Sequence, residues 1–440
     1  MIFMSQELTG KLPFQEIYLH AMIRDAHGRK MSKSLGNVID PLNVIHGVSL
    51  MQLNKMLESG NLDPKIEKAK EGQAHDYPNG IPECGTDALR FALMNYTSQS
   101  RDINLDVLRI QGYRDLRCHI KNWNLRVYFQ QKCESKEKLN MAANISTWYD
   151  KEKLWLLSGS KESSILDRWI LSRLSYTVES SNSEMSNYHF SRVTTILYNF
   201  WQYDFCDIYI EGCKPMFASD GNSDGAEIAR KILFECVETG LRLLSPIMPF
   251  ITEELWQRLP PRTSKEQPES ICVAPYPEAE QYAFRDETLE NRVARAMHIV
   301  KTVRSLRSDY GLTAKVKTEL YIIFESSSEV IEMENLVSLI TILTSSSKVS
   351  LLTADKIQQM PRNSVQILVS TTCKISLLLE GIVDVRKEIT KLTNRQEKLI
   401  IQLQKLEETR SNPAYTKVAS LLAESEHLNE VILALKNLPA

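Results

Sequence analysis

RDAHGRKMSKSLGNVIDP, residues Arg24 to Pro41, places two lysines and two serines within the five positions Lys30 to Ser34. It follows the short apolar run EIYLHAMI, Glu16 to Ile23, and a turn signal, Asp25-Ala26-His27-Gly28. An apolar run of strand length closed by a turn predicts a buried strand running into a loop. Such a loop, leaving the end of a buried strand, is where parallel α/β sheets place their ligands. If that ligand carries phosphates, the ammonium groups of Lys30 and Lys33 offset the charge that builds on a departing pyrophosphate. The Ser32 and Ser34 hydroxyls then add donors. Gly36 supplies a backbone position with positive φ behind the loop. A K-x-x-K pair alone is ordinarily a solvated basic loop. The length of this motif and its strand-to-loop setting favour the phosphate reading.

The rest of the chain bounds the alternatives. At 440 residues, with 43% hydrophobic and 25% charged residues, it has room for several domains with ordinary cores. Its formal charge of -2 excludes a gross polycation, so any nucleic-acid contact must come from local patches. The eight cysteines are dispersed without a C-x-x-C pair, which argues against a disulfide framework or a four-cysteine zinc site. They read as small buried hydrophobes. Cys84, in a Pro- and Gly-rich loop, is the one expected at the surface. No two histidines stand at i, i+3 or i+4 spacing, so no protein-ligated metal is expected. No run approaches the roughly 18 apolar residues of a membrane span, and the start lacks signal-peptide features. A cytoplasmic protein is expected, with an organelle as the alternative.

Downstream, residues 51–85 read as an insertion or connector. Thr86 is expected to cap the helix that follows, with Asp87 at its positive end. Residues 131–160 are polar and linker-like. From Ser163 to Arg307 four long amphipathic stretches predict a helical bundle, broken at 182–187, 219–225 and 260–277, with Pro246 and Pro249 expected to kink the third helix or split it in two. KTELYIIF, KVSLLT, VQILVS and KISLLL, with a helix over 329–343, predict a small α+β unit. Finally, Ile382, Val385, Ile389, Leu392, Gln396, Leu399, Leu403 and Leu406 keep strict 3,4 spacing. Val418 to Leu435 repeats it after a Ser-Asn-Pro break, which predicts an antiparallel helical hairpin.

HGRKMSKSLGNVIDPLNVI resembles the second signature of the class I aminoacyl-tRNA synthetases. IPECGTDALRFAL and SRDINLD are similar to the valyl branch of that family. DRWILSRL, FWQYDFCDIYIEGCK and LLSPIMPFITEELWQ resemble its anticodon-binding domain, and the terminal hairpin is similar to its tRNA-binding coiled coil. The resemblance implies a mainly α chain that starts at the end of a Rossmann-type α/β catalytic domain, residues 1–47. It continues through insertion and stem-contact helices, 48–130, and the 131–160 linker to an anticodon-binding bundle, 161–310. A small α+β unit, 311–380, and the hairpin, 381–440, complete it.

It further implies ATP-dependent attachment of valine to its tRNA during translation, with ATP entering as its Mg2+ complex. Lys33 would contact the phosphates and Lys30 would support it, with Ser32 and Ser34 beside them. Met31 and Leu35 would pack the loop, and His27 and Arg29 would line its approach. None of the eight histidines stands in the family's H-I-G-H-type signature. The other half of the ATP site and the editing domain are therefore expected upstream of Met1, and a non-catalytic tRNA-binding module is the alternative.

Two further groups are candidates for tRNA. Trp201, Tyr203, Phe205 and Tyr209 are expected mainly to fill the bundle, with base stacking as the other reading. Arg295, Lys301, Arg304 and Arg307 fit either a phosphate-binding or a solvated helix face.

Overall fold

The computed structural model describes residues 1–32, 35–58, 66–97, 102–122, 163–218, 224–259, 268–359, 361, 364–379, 393–394, 396–403 and 405, with backbone alone at 115–122, 218, 357 and 359. The described chain is mainly helical and divides into two units. One comprises Met1–Tyr209 with Met216–Arg285, and the other Ile210–Pro215 with Asp286–Ala440.

In the first unit, α1 (Ile2–Thr9) precedes strand β1 (Met22–Arg24). Four helices follow, α2 (Pro41–His46), α3 (Leu50–Glu58), α4 (Ile66–Asp76) and α5 (Thr86–Tyr96). Strand β2 (Asp102–Asn104) then returns parallel to β1, and α6 (Val107–Asn122) leaves it. A parallel pair needs such a crossover, because a hairpin turn cannot reverse the chain twice.

The core below the loop joins Val44, Leu53, Ile81, Ala88, Ala92 and Ile110, with Met31 and Ile39 packed on it. Two expectations change here. The predicted strand from Glu16 is ordered as strand only at β1, and Ile17, Leu19 and Met22 are exposed rather than buried. The insertion before Gly85 carries the 11-residue helix α4, which buries no residue completely.

The bundle is built from α7 (Ile165–Ser186), α8 (Phe190–Asn199), a π-helical segment (Phe200–Ile210) that runs on into α9 (Glu211–Ala218), α10 (Asp224–Leu244) and α11 (Pro249–Trp256). The break between α10 and α11 falls at the two prolines, as the missing amide and fixed φ of proline require. A capping box starts α7: the Asp167 amide donates to Ser164 Oγ at 3.2 Å, and the Ser164 amide donates to Asp167 Oδ2 at 2.8 Å.

The second unit opens with α12 (Glu287–Asp309), which packs on α13 (Ser327–Glu334), α14 (Val337–Thr344) and a four-stranded sheet. The strands are β3 (Thr318–Phe324), β4 (Ser346–Thr353), β5 (Ser364–Ser370) and β6 (Cys373–Leu378), in the order β4-β3-β6-β5. β3 and β4 are parallel, joined through α13 and α14, and the other pairs are antiparallel. Thus α12, expected as the last bundle helix, belongs by its contacts to the α+β unit, and the single helix expected over 329–343 is two. The linker at 131–160 lies outside the described residues. So does most of the expected hairpin, of which 393–394, 396–403 and 405 are helical.

Candidate functional site

The lysine loop is organised by one carboxylate. Asp25 is 5% exposed, at the exit of β1. Its Oδ1 accepts the backbone amides of His27 at 3.1 Å and Arg29 at 2.8 Å. Its Oδ2 accepts Arg29 Nε at 2.7 Å and Asn37 Nδ2 at 2.9 Å. Burial opposes the negative charge, but the donors Asn37 and Arg29, the latter through both backbone and guanidinium, outweigh it and hold the carboxyl below its usual range.

Asn37 carries the clasp to the motif itself. Its side-chain oxygen accepts the Ser32 amide at 3.0 Å, and its nitrogen also reaches the Lys30 carbonyl at 3.3 Å. Gly28 and Gly36 hold φ of 75° and 65°, the left-handed turns that reverse the chain on either side. Lys30 emerges exposed, bridged through the backbone of Arg24. Arg24 in turn pairs with Asp102 on the neighbouring strand at 2.8 Å.

Of the predicted site residues, the structure brings Lys30, Met31 and Ser32 together on this clasp, with Met31 and Ser32 half-buried. Lys33 and Ser34 lie outside the described residues. Leu35, expected to pack the loop, is 51% exposed. His27 and Arg29 are exposed on the turn that precedes Lys30. His27 Nε2 meets Asp76 Oδ1 of α4 at 2.8 Å, and His75 Nδ1 meets the same oxygen at 3.0 Å. Spacing along the chain pairs no histidines, yet folding brings these two onto one carboxylate. Between loop and α4 lies a cleft of about 340 Å³, lined by Asp25, Asn37, Leu53, Gln73, Asp76 and Tyr77 among others.

A second polar constellation fixes the helix behind the loop to the bundle. Asp87 is 2% exposed and accepts the amides of Phe250 at 3.3 Å and Ile251 at 2.7 Å. Those are orphan donors at the start of α11, so Asp87 caps a helix distant in sequence. Arg90, one turn on, donates to the carbonyls of Ile247 and Pro246, both at 3.0 Å, closing the proline bend. Thr86 does not cap α5. The N-cap is Gly85, and Thr86 is the first helical residue.

The tRNA candidates divide. Trp201, Phe205 and Tyr209 are buried, and Trp201 sits against Phe200 and Phe205 with rings 6.1 and 5.5 Å apart. Base stacking by Trp201 is thereby corrected to core packing, and Tyr203 is the exposed member at 52%. Arg307 is likewise corrected. It is 4% exposed and donates to Thr318 Oγ1, the Thr313 carbonyl and the Val316 carbonyl at 2.9, 2.9 and 2.7 Å, which ties the loop after α12. Arg295, Lys301 and Arg304 remain on the exposed side of α12, with Arg295 paired to Glu332 and Arg304 donating to the Leu343 carbonyl at 2.8 Å. Cys84, expected at the surface, is fully buried, and Cys272 is exposed instead.

Two family models match parts of the chain. Residues 1–106 match the model of tRNA synthetases class I (I, L, M and V), and residues 167–322 match that of the anticodon-binding domain of tRNA ligase. The second match ends inside β3 and therefore includes α12. The chain is 45% identical to a valine--tRNA ligase of Caenorhabditis elegans over 100% of its own length and 42% of the relative's. It is 44% identical to one of Homo sapiens, covering 94% of this chain and 31% of that one. A mitochondrial valine--tRNA ligase of Saccharomyces cerevisiae is 36% identical across 100% of this chain and 39% of the relative. The chain thus spans about two-fifths of the length of the first of these relatives. With Lys30, Met31 and Ser32 seated on this clasp, two family models matched in order along the chain and relatives 36–45% identical over 94–100% of it, the chain belongs to the class I aminoacyl-tRNA synthetases, in their valyl branch.

Proposed function

We propose that this chain carries the phosphate loop and the tRNA-docking part of an ATP-dependent valine--tRNA ligase acting in translation. The observation that supports it most is the Asp25–Asn37 clasp, which fixes the backbone on both sides of the lysine motif and presents Lys30 to solvent at the end of a parallel strand. Residues 1–47 are then the end of a Rossmann-type domain, and 381–440 a coiled-coil arm laid against tRNA. The expected setting is the cytoplasm.

ATP enters as its Mg2+ complex, and the valine carboxylate attacks its α-phosphate. The bond to the pyrophosphate oxygen breaks, and negative charge gathers on the leaving group. Lys33, with Lys30 beside it, places positive charge where that charge develops, and Ser32 and Ser34 add donors. The barrier falls by electrostatic stabilisation and positioning rather than through a covalent enzyme intermediate. A ribose hydroxyl at the end of the tRNA then attacks the valyl carbonyl and expels AMP. A non-catalytic tRNA-binding module is the second reading, supported by the match of residues 167–322 to the anticodon-binding domain of tRNA ligase, which does not involve the lysine loop.

A gel shift with the 440-residue chain tests the docking half. Valine tRNA is expected to bind in preference to an unrelated tRNA, with affinity that drops steeply as salt rises and weakens when the chain is ended at Gly381. Equal binding of both RNAs, or none, overturns it. Valine-dependent exchange of pyrophosphate into ATP, expected to be absent with the 440-residue chain alone, separates the readings when the upstream half of a ligase is supplied, since a pure binding module contributes nothing to that rate.

A further inference from the structure

His27, His75 and Asp76 are not used by the chemistry above. Their three ligand-type atoms nevertheless lie within 4.8 Å of one another. Asp76 Oδ1 is the common point, 2.8 Å from His27 Nε2 and 3.0 Å from His75 Nδ1. In a tetrahedral zinc site with bonds of about 2.0–2.1 Å the donor atoms stand roughly 3.3 Å apart. The two separations from Asp76 Oδ1 need to open by only a few tenths of an ångström, and the two imidazole nitrogens, no more than 4.8 Å apart, come to the same spacing by turning their rings. The rings are 49% and 81% exposed at their side chains, so both can turn without disturbing a core. Asp76, at 20%, is the more enclosed member.

We propose that His27, His75 and Asp76 form a binding site for one first-row divalent transition-metal ion, Zn2+ in the first instance, with water completing the coordination. Two imidazole nitrogens and one carboxylate oxygen suit Zn2+, Co2+ or Ni2+ and discriminate against Mg2+, which prefers an all-oxygen octahedron. Each imidazole faces Asp76 through one ring nitrogen, and a ring that carries its proton there becomes a ligand by tautomerising. On metal binding that nitrogen offers its lone pair, and the proton moves to the other ring nitrogen, with no net release. The site joins the turn before Lys30 to α4, so a bound ion clips the base of the lysine loop to a helix 48 residues further along the chain. Binding of the ion stands independently of the ligase reading. Only the consequence for the loop rests on it.

Titration of the 440-residue chain with Co2+ followed by visible absorption, then displacement by Zn2+, tests the proposal. One equivalent is expected to give the intense bands of a low-coordinate site, to be displaced by Zn2+, and to be unaffected by millimolar Mg2+. His27→Gln and His75→Gln should each weaken binding at least tenfold with an unchanged circular dichroism spectrum, while Cys272→Ser should leave it as it was. Binding that is absent, that survives both histidine changes, that is lost with Cys272→Ser, or that Mg2+ competes away would overturn the site and leave a hydrogen-bonded trio.

Discussion

Asp25 and Asp167 are both buried aspartates near the start of a structural feature, and they behave in opposite ways. Asp25 is surrounded by two backbone amides, a guanidinium and a carboxamide, and these donors keep it ionised against the cost of burial. Asp167 is 1% exposed and raised above the usual range: burial dominates, and its hydrogen bonds from Ser164 and from the Tyr209 hydroxyl at 2.8 Å only reduce the effect. The difference is between a charge that organises a loop and a cap that starts a helix. A defect at the first should appear in chemistry, whereas a defect in the bundle around the second should appear in folding.

The comparison is broken most severely from the bundle side. Trp201→Ala empties space between Phe200, Phe205 and Gly240 and is expected to cost about 3–5 kcal/mol in urea unfolding of the first unit. Asp87→Ala leaves two α11 amides without their acceptor, a loss of roughly 1–3 kcal/mol by the same measurement. Asp167→Ala removes the capping box and should cost about 1–2 kcal/mol.

The smallest effect is in pH dependence. Asp25 has a folded pKa below the ordinary aspartate value of 3.8, so its contribution is complete above that value and is lost as pH falls through the folded pKa. Asp167 has a folded pKa above 3.8, so its contribution is complete below that value and is lost as pH rises through the folded pKa. Urea midpoints measured across roughly pH 3 to 6 should therefore lose part of their rise with pH in Asp25→Asn and part of their fall in Asp167→Asn. Slopes that change in the same direction would remove the distinction.

What could be read in the sequence follows from the range of each interaction. The lysine motif, the positive φ at Gly36 and the helix break at Pro246 and Pro249 depend on neighbours along the chain, and each was legible there. The Asp25 clasp was legible in principle. An aspartate followed by amides two and four residues on is a local pattern, but Asp25 read only as a turn former. Asp87 and Arg90 were not legible, because their partners stand more than 150 residues away. Arg307 misleads for a related reason. A cation in the last turn of an amphipathic helix reads as solvated or phosphate-binding, yet the carbonyls of Thr313 and Val316 fold back onto it and burial lowers its pKa.

On the proposed reading, the most direct test of the loop's role is the rate of valine-dependent ATP–pyrophosphate exchange in a full-length valine--tRNA ligase assembled to carry this chain, with and without Asp25→Asn. An ångström of displacement in a positioned group can lower a rate about 100-fold, so a loss of about 10- to 100-fold is expected, with the unfolding midpoint at neutral pH little changed. An undiminished exchange rate would contradict the claim that Asp25 holds the lysine loop in place for chemistry.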